Sequence, residues 1–256
     1  FTNNGTISKS LIFDTGDSAY LTRTPSSSGS GTTFTVSFWF RLGKINHSSD
    51  LFSNSPAGSA SSIFYITHYN DNTILIHGFN TGGSFTCNLQ TNNTFEDTTK
   101  WYHLVCAVDT TQGTSTNRVK LYIDGTQITS FSSTTYPGQN DNFGTNQSSI
   151  PQQFGRYNYD GTRLYDGYAA EINMVDGTAL TPDTFGVTDT TTGRWIPKNL
   201  TGITYGTNGF RLQFANSAGQ TIGDDTSGNG NDFTATNLAV ADLNTNTPTN
   251  DIGYGT

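Results

Sequence analysis

The residues of this 256-residue chain with chemistry to offer are few acids suited to catalysis, four histidines and two thiols. Hydrolysis of a glycosidic bond needs two carboxyl groups straddling it, about 5 to 9 Å apart according to mechanism. Only two glutamates are present, Glu96 and Glu171, and Glu171 reads as the anchor of a strand end. His47, His68, His77 and His103 are scattered without the spacing of a zinc site. No nucleophile elbow or phosphate loop occurs. The chain therefore reads as non-enzymatic.

Calcium is the better inorganic expectation. DDTSGNGND puts Asp225, Ser227, Asn229 and Gly230 at positions 1, 3, 5 and 6 of a calcium-loop spacing. Thr236 stands where an EF-hand carries its bidentate Glu, so the stretch is not an EF-hand. Oxygens of Asp225, Asn229 and Asp232 could hold a structural Ca²⁺; the alternative is a tight turn without metal. Cys87 and Cys106 lie in strands that could be neighbours. A bridge between them would add on the order of 3 kcal/mol in the chain-entropy view, while both positions also suit buried thiols. Asn-x-Ser/Thr acceptors occur at Asn4, Asn46, Asn92, Asn146 and Asn199, and matter only in a glycosylating source.

Aromatic residues carry the binding candidates. Trp39 sits opposite the apolar face of its strand, either as a stacking platform for a sugar or packed under a loop. The turn RYNYDGTRLYDGY carries Tyr157, Tyr159, Asp160, Tyr165 and Tyr168. Tyrosine offers a flat ring and a hydroxyl at low entropic cost; the alternative is a hairpin whose rings pack on adjacent strands. The polar loop Tyr136–Ser149 is long for a compact domain, and such loops are often functional.

These residues must be positioned by strands. Apolar residues make up 32% of the chain and aromatics 12%, with Thr, Ser, Asn and Gly filling much of the rest, which suits short strands joined by polar turns. In VKLYID, Val119, Leu121 and Ile123 share one face, and Asp124-Gly125 follows as a tight hairpin turn. In WYHLVCAVD both alternate sets are largely apolar, so this strand is expected to be covered on both sides. In FTVSFWFRL, Phe34, Val36, Phe38, Phe40 and Leu42 share a face. Further short strands fill Leu51 to Leu89, separated by SNSPAGSAS, HYNDNT and NTGG, and others run over 150–157 and 163–174. Formal net charge is −8 without clustered Lys or Arg, so nucleic acid is not an expected partner. No stretch approaches the roughly 18 apolar residues of a spanning helix. The start without Met or leader predicts a processed chain or one part of something longer.

Three blocks together carry a family resemblance: WYHLV…RVKLYIDG, FTVSFWFRL, and FGRYNYDGTRLYDGYAAEINMVDGTALTPDTFG. They resemble laminin-G-like domains of the concanavalin A-like lectin/glucanase group, more specifically modules in structural and tail-fibre proteins of aquatic tailed phages. SAYLTRTPSSSG, TDTTTGRWIPK, DTSGNGNDFTATN and DLNTNTPTN share that flavour. The resemblance implies an all-β, two-sheet antiparallel jelly-roll sandwich. AEINMVDG breaks the Glu-x-Asp-x-x-Glu strand motif of that group's glucanases. The expected layout is an arm over 1–7, a sandwich over 8–193, strands over 194–240 that complete it or pair with a neighbouring subunit, and a linker over 241–256. The implied function is a structural and adhesion module of a viral tail fibre or extracellular fibril. Such a module would self-associate into a homo-oligomer or fibre, meet cell-surface or environmental glycans, and sit outside the cell or on a virion. The alternative is a free lectin, with or without calcium.

Overall fold

A computed structural model describes residues 5–215 and 219–250. Numbered along the chain, the described residues form eighteen strands. In spatial order the first sheet contains β10 (Thr126–Ile128), β9 (Val119–Ile123), β8 (Tyr102–Asp109), β3 (Thr33–Leu42), β13 (Gly167–Asp176), β1 (Ser10–Phe13) and β18 (Leu243–Asn244). β16 (Phe210–Leu212) pairs with the other half of β13, beyond β1. The second sheet contains β11 (Phe131–Thr135), β7 (Phe85–Thr94), β6 (Thr73–Phe79), β5 (Ile63–His68), β4 (Ser49–Asn54), β12 (Gln152–Phe154), β2 (Tyr20–Arg23) and β17 (Thr234–Thr236). A small hairpin joins β14 (Gly186–Thr188) to β15 (Trp195–Pro197). Every strand pair among the described residues is antiparallel, the pairing that short hairpin connections allow.

The two sheets enclose one core. Phe34, Val36, Phe38, Phe40 and Leu42 of β3 meet Phe52, Phe64, Ile66, Ile76 and Leu89 of the second sheet, all essentially without solvent exposure. The Asp124-Gly125 turn has positive φ at both residues, 49° and 78°, which is why Asp and Gly stand there. A Cβ on Gly125 would lie 2.5 Å from the Trp195 ring, so this glycine also admits the indole.

The outer faces of the sheets differ, and that difference positions the site. Residues 177–209 fold over the first sheet, where Leu180, Phe185, Leu200, Ile203 and Tyr205 cover Val105 and Val175. The double cover expected for WYHLVCAVD is thus present. Over β5, β6 and β7 of the second sheet the described residues form a smaller cover, in which Tyr157 and Tyr159 pack with Ile63, Tyr65 and Leu75 and leave part of the face open.

The C-terminal strands complete this sandwich within the chain: β16 pairs with β13, β17 with β2, and β18 with β1. Buried Arg23 fastens them, donating to Gln152 Oε1, the Asn208 carbonyl, Asn208 Oδ1 and Asn231 Oδ1. The described end of the expected arm is also docked: Gly5 N–H donates to the Pro197 carbonyl and Ile7 is buried. Ile7 N–H donates to Thr249 Oγ1, so part of the expected linker is docked as well.

Candidate functional site

The open face of the second sheet arises from three consecutive strands with the same alternation. Phe64 and Ile66, Ile74 and Ile76, Cys87 and Leu89 point into the core. The intervening positions put Tyr65, Leu75, His77, Asn88 and Gln90 around an open depression of about 510 Å³, closed at its sides by Ser48, Tyr69 and Arg163. Strand register aligns the row, since Tyr65 is paired with His77 and His77 with Asn88.

A run of rings crosses this face. Tyr159 stacks on Tyr157 with centroids 5.7 Å apart, Tyr157 meets Tyr65 edge-on at 5.2 Å, and Tyr65 stacks on His77 at 4.7 Å. His77 then contacts Phe85 at 4.9 Å, and Phe85 contacts Phe79 at 5.5 Å. Phe85 is 47% exposed, a large apolar ring left in water at the end of the run. Beside the rings lie planar amides. His77 Nδ1 and Asn88 Oδ1 are 3.2 Å apart, Asn88 Nδ2 donates to Ser133 Oγ, and Gln90 Nε2 donates to Asp71 Oδ2 and Thr73 Oγ1. Tyr65 and Tyr157 are buried with their faces against His77, Arg163 and Tyr159, so the exposed Phe85 ring, the half-buried His77 and the amide edges are the surface offered to a ligand, a pairing of apolar ring and polar edge that suits a sugar.

Arg163 is the one cation lining the depression. Its guanidinium lies 3.7 Å from the Tyr157 centroid and 4.5 Å from that of Tyr65, a cation–π arrangement that fixes its position. Nη1 is 3.6 Å from Oδ1 of Asp50, and the Asp50 N–H donates to the Arg163 carbonyl. Asp50 has no solvent exposure. Thr67 Oγ1 donates to its Oδ1, while Oδ2 has no partner. Burial pushes its carboxyl up to about 7 against the pull of Arg163 and Thr67.

The residues singled out in the sequence fall in different places. Tyr157, Tyr159 and Asp160 belong to the turn that borders this face, with Tyr157 buried, Tyr159 half-buried and Asp160 exposed. Tyr165 does not: it is fully buried in the core, and its hydroxyl lies 2.8 Å from the Arg41 carbonyl and 2.9 Å from that of Tyr168. Trp39 is 3% exposed, packed among Ile7, Trp101 and Trp195 and stacked on His103 at 4.6 Å, so no face of its ring is open to a sugar. His103 Nδ1 accepts from Trp195 Nε1 and its Nε2 lies 3.0 Å from Ser37 Oγ, which makes it a packing residue with its proton on Nε2. The 136–149 loop turns inward: Phe143, Thr145 and Asn146 are buried, with the Phe143 carbonyl and Thr145 hydroxyl bonded to Asn54.

Cys87 and Cys106 are free thiols. They sit on β7 and β8, strands of opposite sheets facing one core, so the expected strand neighbourhood does not exist. Among the glycosylation candidates, Asn46, Asn92 and Asn199 are exposed. Asn146 is fully buried, with its amide bonded to the Ser30 carbonyl, Asp176 and Gln152, which bars a glycan in the folded chain. Asn4 lies outside the described residues.

The calcium-like loop satisfies itself. Asp225 Oδ1 accepts from the N–H groups of Arg211 and Ser227, and Oδ2 from Ser227 Oγ and the Asn231 N–H. Asp232 Oδ1 accepts from the Asp225 N–H, and the Asn229 amide donates to the Gly206 and Gly209 carbonyls. Donors thus meet both Asp225 oxygens and Asp232 Oδ1, which is the tight hydrogen-bonded turn that stands as the alternative to a metal loop. Among the described residues no three His, Cys, Asp or Glu side chains converge on a metal position. Glu171 occupies a β-bulge at φ 50°, buried and paired with Arg211 Nε at 2.5 Å, which is a structural role.

A family model for the concanavalin A-like lectin/glucanases superfamily matches residues 14–184, well over half of the chain. Among solved structures, a Bacteroides ovatus protein determined as a candidate carbohydrate binder aligns over 95% of this chain and 62% of its own, at 14% identity and a TM-score of 0.57. A heptameric pentraxin of Limulus polyphemus aligns over 68% of this chain and 78% of its own at 15% identity, with a TM-score of 0.49. The CBM40 of a Ruminococcus gnavus sialidase aligns over 70% and 96% at 13% identity, with a TM-score of 0.45. At these identities the likeness is one of fold, and the last two are too loose to bear on function. The sequence has no match among curated proteins.

Proposed function

We propose that this chain, which belongs to the concanavalin A-like lectin/glucanases superfamily, is a non-enzymatic carbohydrate-binding module that uses the open face of its second sheet. The observation that carries the reading is the contrast between the two outer faces. The first is sealed by residues 177–209, whereas the second leaves rings, amides and one guanidinium around an open depression. Glu171 is paired with Arg211 on the other sheet, and the residues lining the depression include no carboxylate. No calcium is assigned to it.

An array of glycans tests the reading, with Phe85→Ser as the comparison because Phe85 is exposed and its loss leaves the core intact. Binding that weakens about tenfold, or 1.4 kcal/mol, in the variant supports it. Silence across all glycans sinks it, and unchanged binding by the variant moves the site elsewhere.

The role of a structural and adhesive module in an extracellular fibril or viral tail fibre is a finer proposal, resting on the sequence resemblance. The exposed Asn46, Asn92 and Asn199 agree with an extracellular setting. Self-association would have to use sheet edges such as the Ser/Thr-rich β11, because β16, β17 and β18 are paired within the chain. Sedimentation at rising concentration tests it: a monomer throughout would remove the fibre role.

A further inference from the structure

Within the proposed binding face, the Asp50–Arg163 pair has features that packing alone does not require. In a chain of net charge −8, the depression is lined by one cation and no acid. The guanidinium is held by two tyrosine rings and meets Asp50 through a single contact of 3.6 Å, short of the bidentate pairing that a committed Arg–carboxylate pair adopts. Donors on Arg163 therefore remain for a second carboxylate. Asp50, for its part, is buried with Oδ2 unpartnered, an expensive state for an ionised group.

We propose that this face selects saccharides bearing a carboxylate, that Arg163 receives the sugar carboxylate, and that Asp50 takes up a proton as the ligand binds. The inference rests on the saccharide-binding reading of the face. An arriving anion competes for the Arg163 charge that offsets the burial of ionised Asp50, so the two negative charges exclude one another. Burial already holds the Asp50 carboxyl at about 7, so one proton suffices near neutrality.

The other titratable groups around Asp50 do not supply this proton. Burial raises Tyr65 of β5 to about 12, and also raises Tyr157 of the bordering turn. Burial lowers both His77 of β6 and His68 of β5, which favours their neutral forms. Burial opposes the ionisation of Asp160, but hydrogen bonds from Thr162 hold it below the usual carboxylate range. Tyr69 lines the far side of the depression. His47, on the loop before β4 and 3.2 Å from Ser49 Oγ, is the remaining neighbour and needs its own control.

Calorimetric titration from pH 6 to 8.5 with tetragalacturonate, sialyllactose and neutral maltotetraose tests the inference, because sugar carboxylates stay ionised throughout. At least one acidic saccharide should bind more tightly than maltotetraose at pH 6 and lose about tenfold in affinity by pH 8.5, the effect of one linked proton. His47→Gln should keep that profile, whereas Asp50→Asn should flatten it at the tight end. A flat wild-type profile, or acidic binding no tighter than neutral binding, overturns the inference and leaves the binding reading standing. Loss of the slope in His47→Gln would assign the proton elsewhere and also overturn it. If no saccharide binds at any pH, both fall. The wild-type profile decides even if Asp50→Asn folds poorly.

Discussion

Replacing Asp50 by Asn should change how stability depends on pH more than it changes stability at any single pH. The carboxyl moves from 3.8 when unfolded to about 7 in the fold, with burial the main cause. A raised acid contributes stability that is fully present below pH 3.8 and lost as pH rises through about 7, because the native state alone keeps the proton in between. Three pH units at about 1.4 kcal/mol each give an upper bound of about 4 kcal/mol. Asn carries no such proton and can keep the Thr67 contact through its carbonyl. The stability difference, wild type minus Asp50→Asn, should therefore grow in favour of wild type as pH falls from 8 to 4.5, by about 1.4 kcal/mol per unit below 6. Urea unfolding at half-unit pH intervals measures it, provided m is the same for both chains. Buried histidines titrating in the opposite direction cancel in the difference. A constant gap across the range would show that Asp50 is an ordinary ionised acid, and would remove the basis of the proton-linked binding as well.

His103 gives the opposite slope: burial lowers it from 6.5 to about 3, so its stabilising neutral state is lost as pH falls through that interval. His103→Gln should shed up to about 1.4 kcal/mol of acid destabilisation per pH unit between 6 and 4, read by the same unfolding series. Arg23→Met should cost about 3 kcal/mol by stranding Asn208, Asn231 and Gln152, and limited proteolysis should then cut first within 213–250. Adding a chelator should leave the melting temperature within about 1 °C, since the DDTSGNGND loop satisfies its own oxygens; a larger fall would reveal a bound cation.

The strands were legible where one residue pattern had one meaning. Alternation in VKLYID, the Asp-Gly turn and the doubly apolar WYHLVCAVD follow from local geometry, and each appears as expected. Sheet membership was not legible, because alternation says that a strand has a buried face but not what lies across from it. For that reason the sequence sets Cys87 and Cys106 in neighbouring strands where the fold puts them on opposite sheets, and it leaves Trp39 open between platform and packing where Ile7, Trp101 and Trp195 pack around it. Tyr157, Tyr159 and Asp160, which the sequence singles out on one turn, border the proposed face. Tyr65, His77, Asn88 and Gln90 were passed over, although IFYITH, ILIHGF and TCNLQT each set polar or aromatic residues opposite an apolar face. Three such strands in succession are the signal of a sheet whose outer face carries polar and aromatic side chains. Arg163 became visible only with its partner, since Asp50 is 113 residues earlier in the chain and meets it across a β-strand and a turn.

The most direct test of the account is an NMR titration of the labelled protein with the best saccharide from the array. The account predicts that shifts concentrate on Tyr65, His77, Phe85, Asn88, Gln90 and Arg163, with the Trp39, Trp101 and Trp195 indole signals unmoved. Shifts centred on those indoles or on the DDTSGNGND loop, with the β5–β7 face silent, would contradict it.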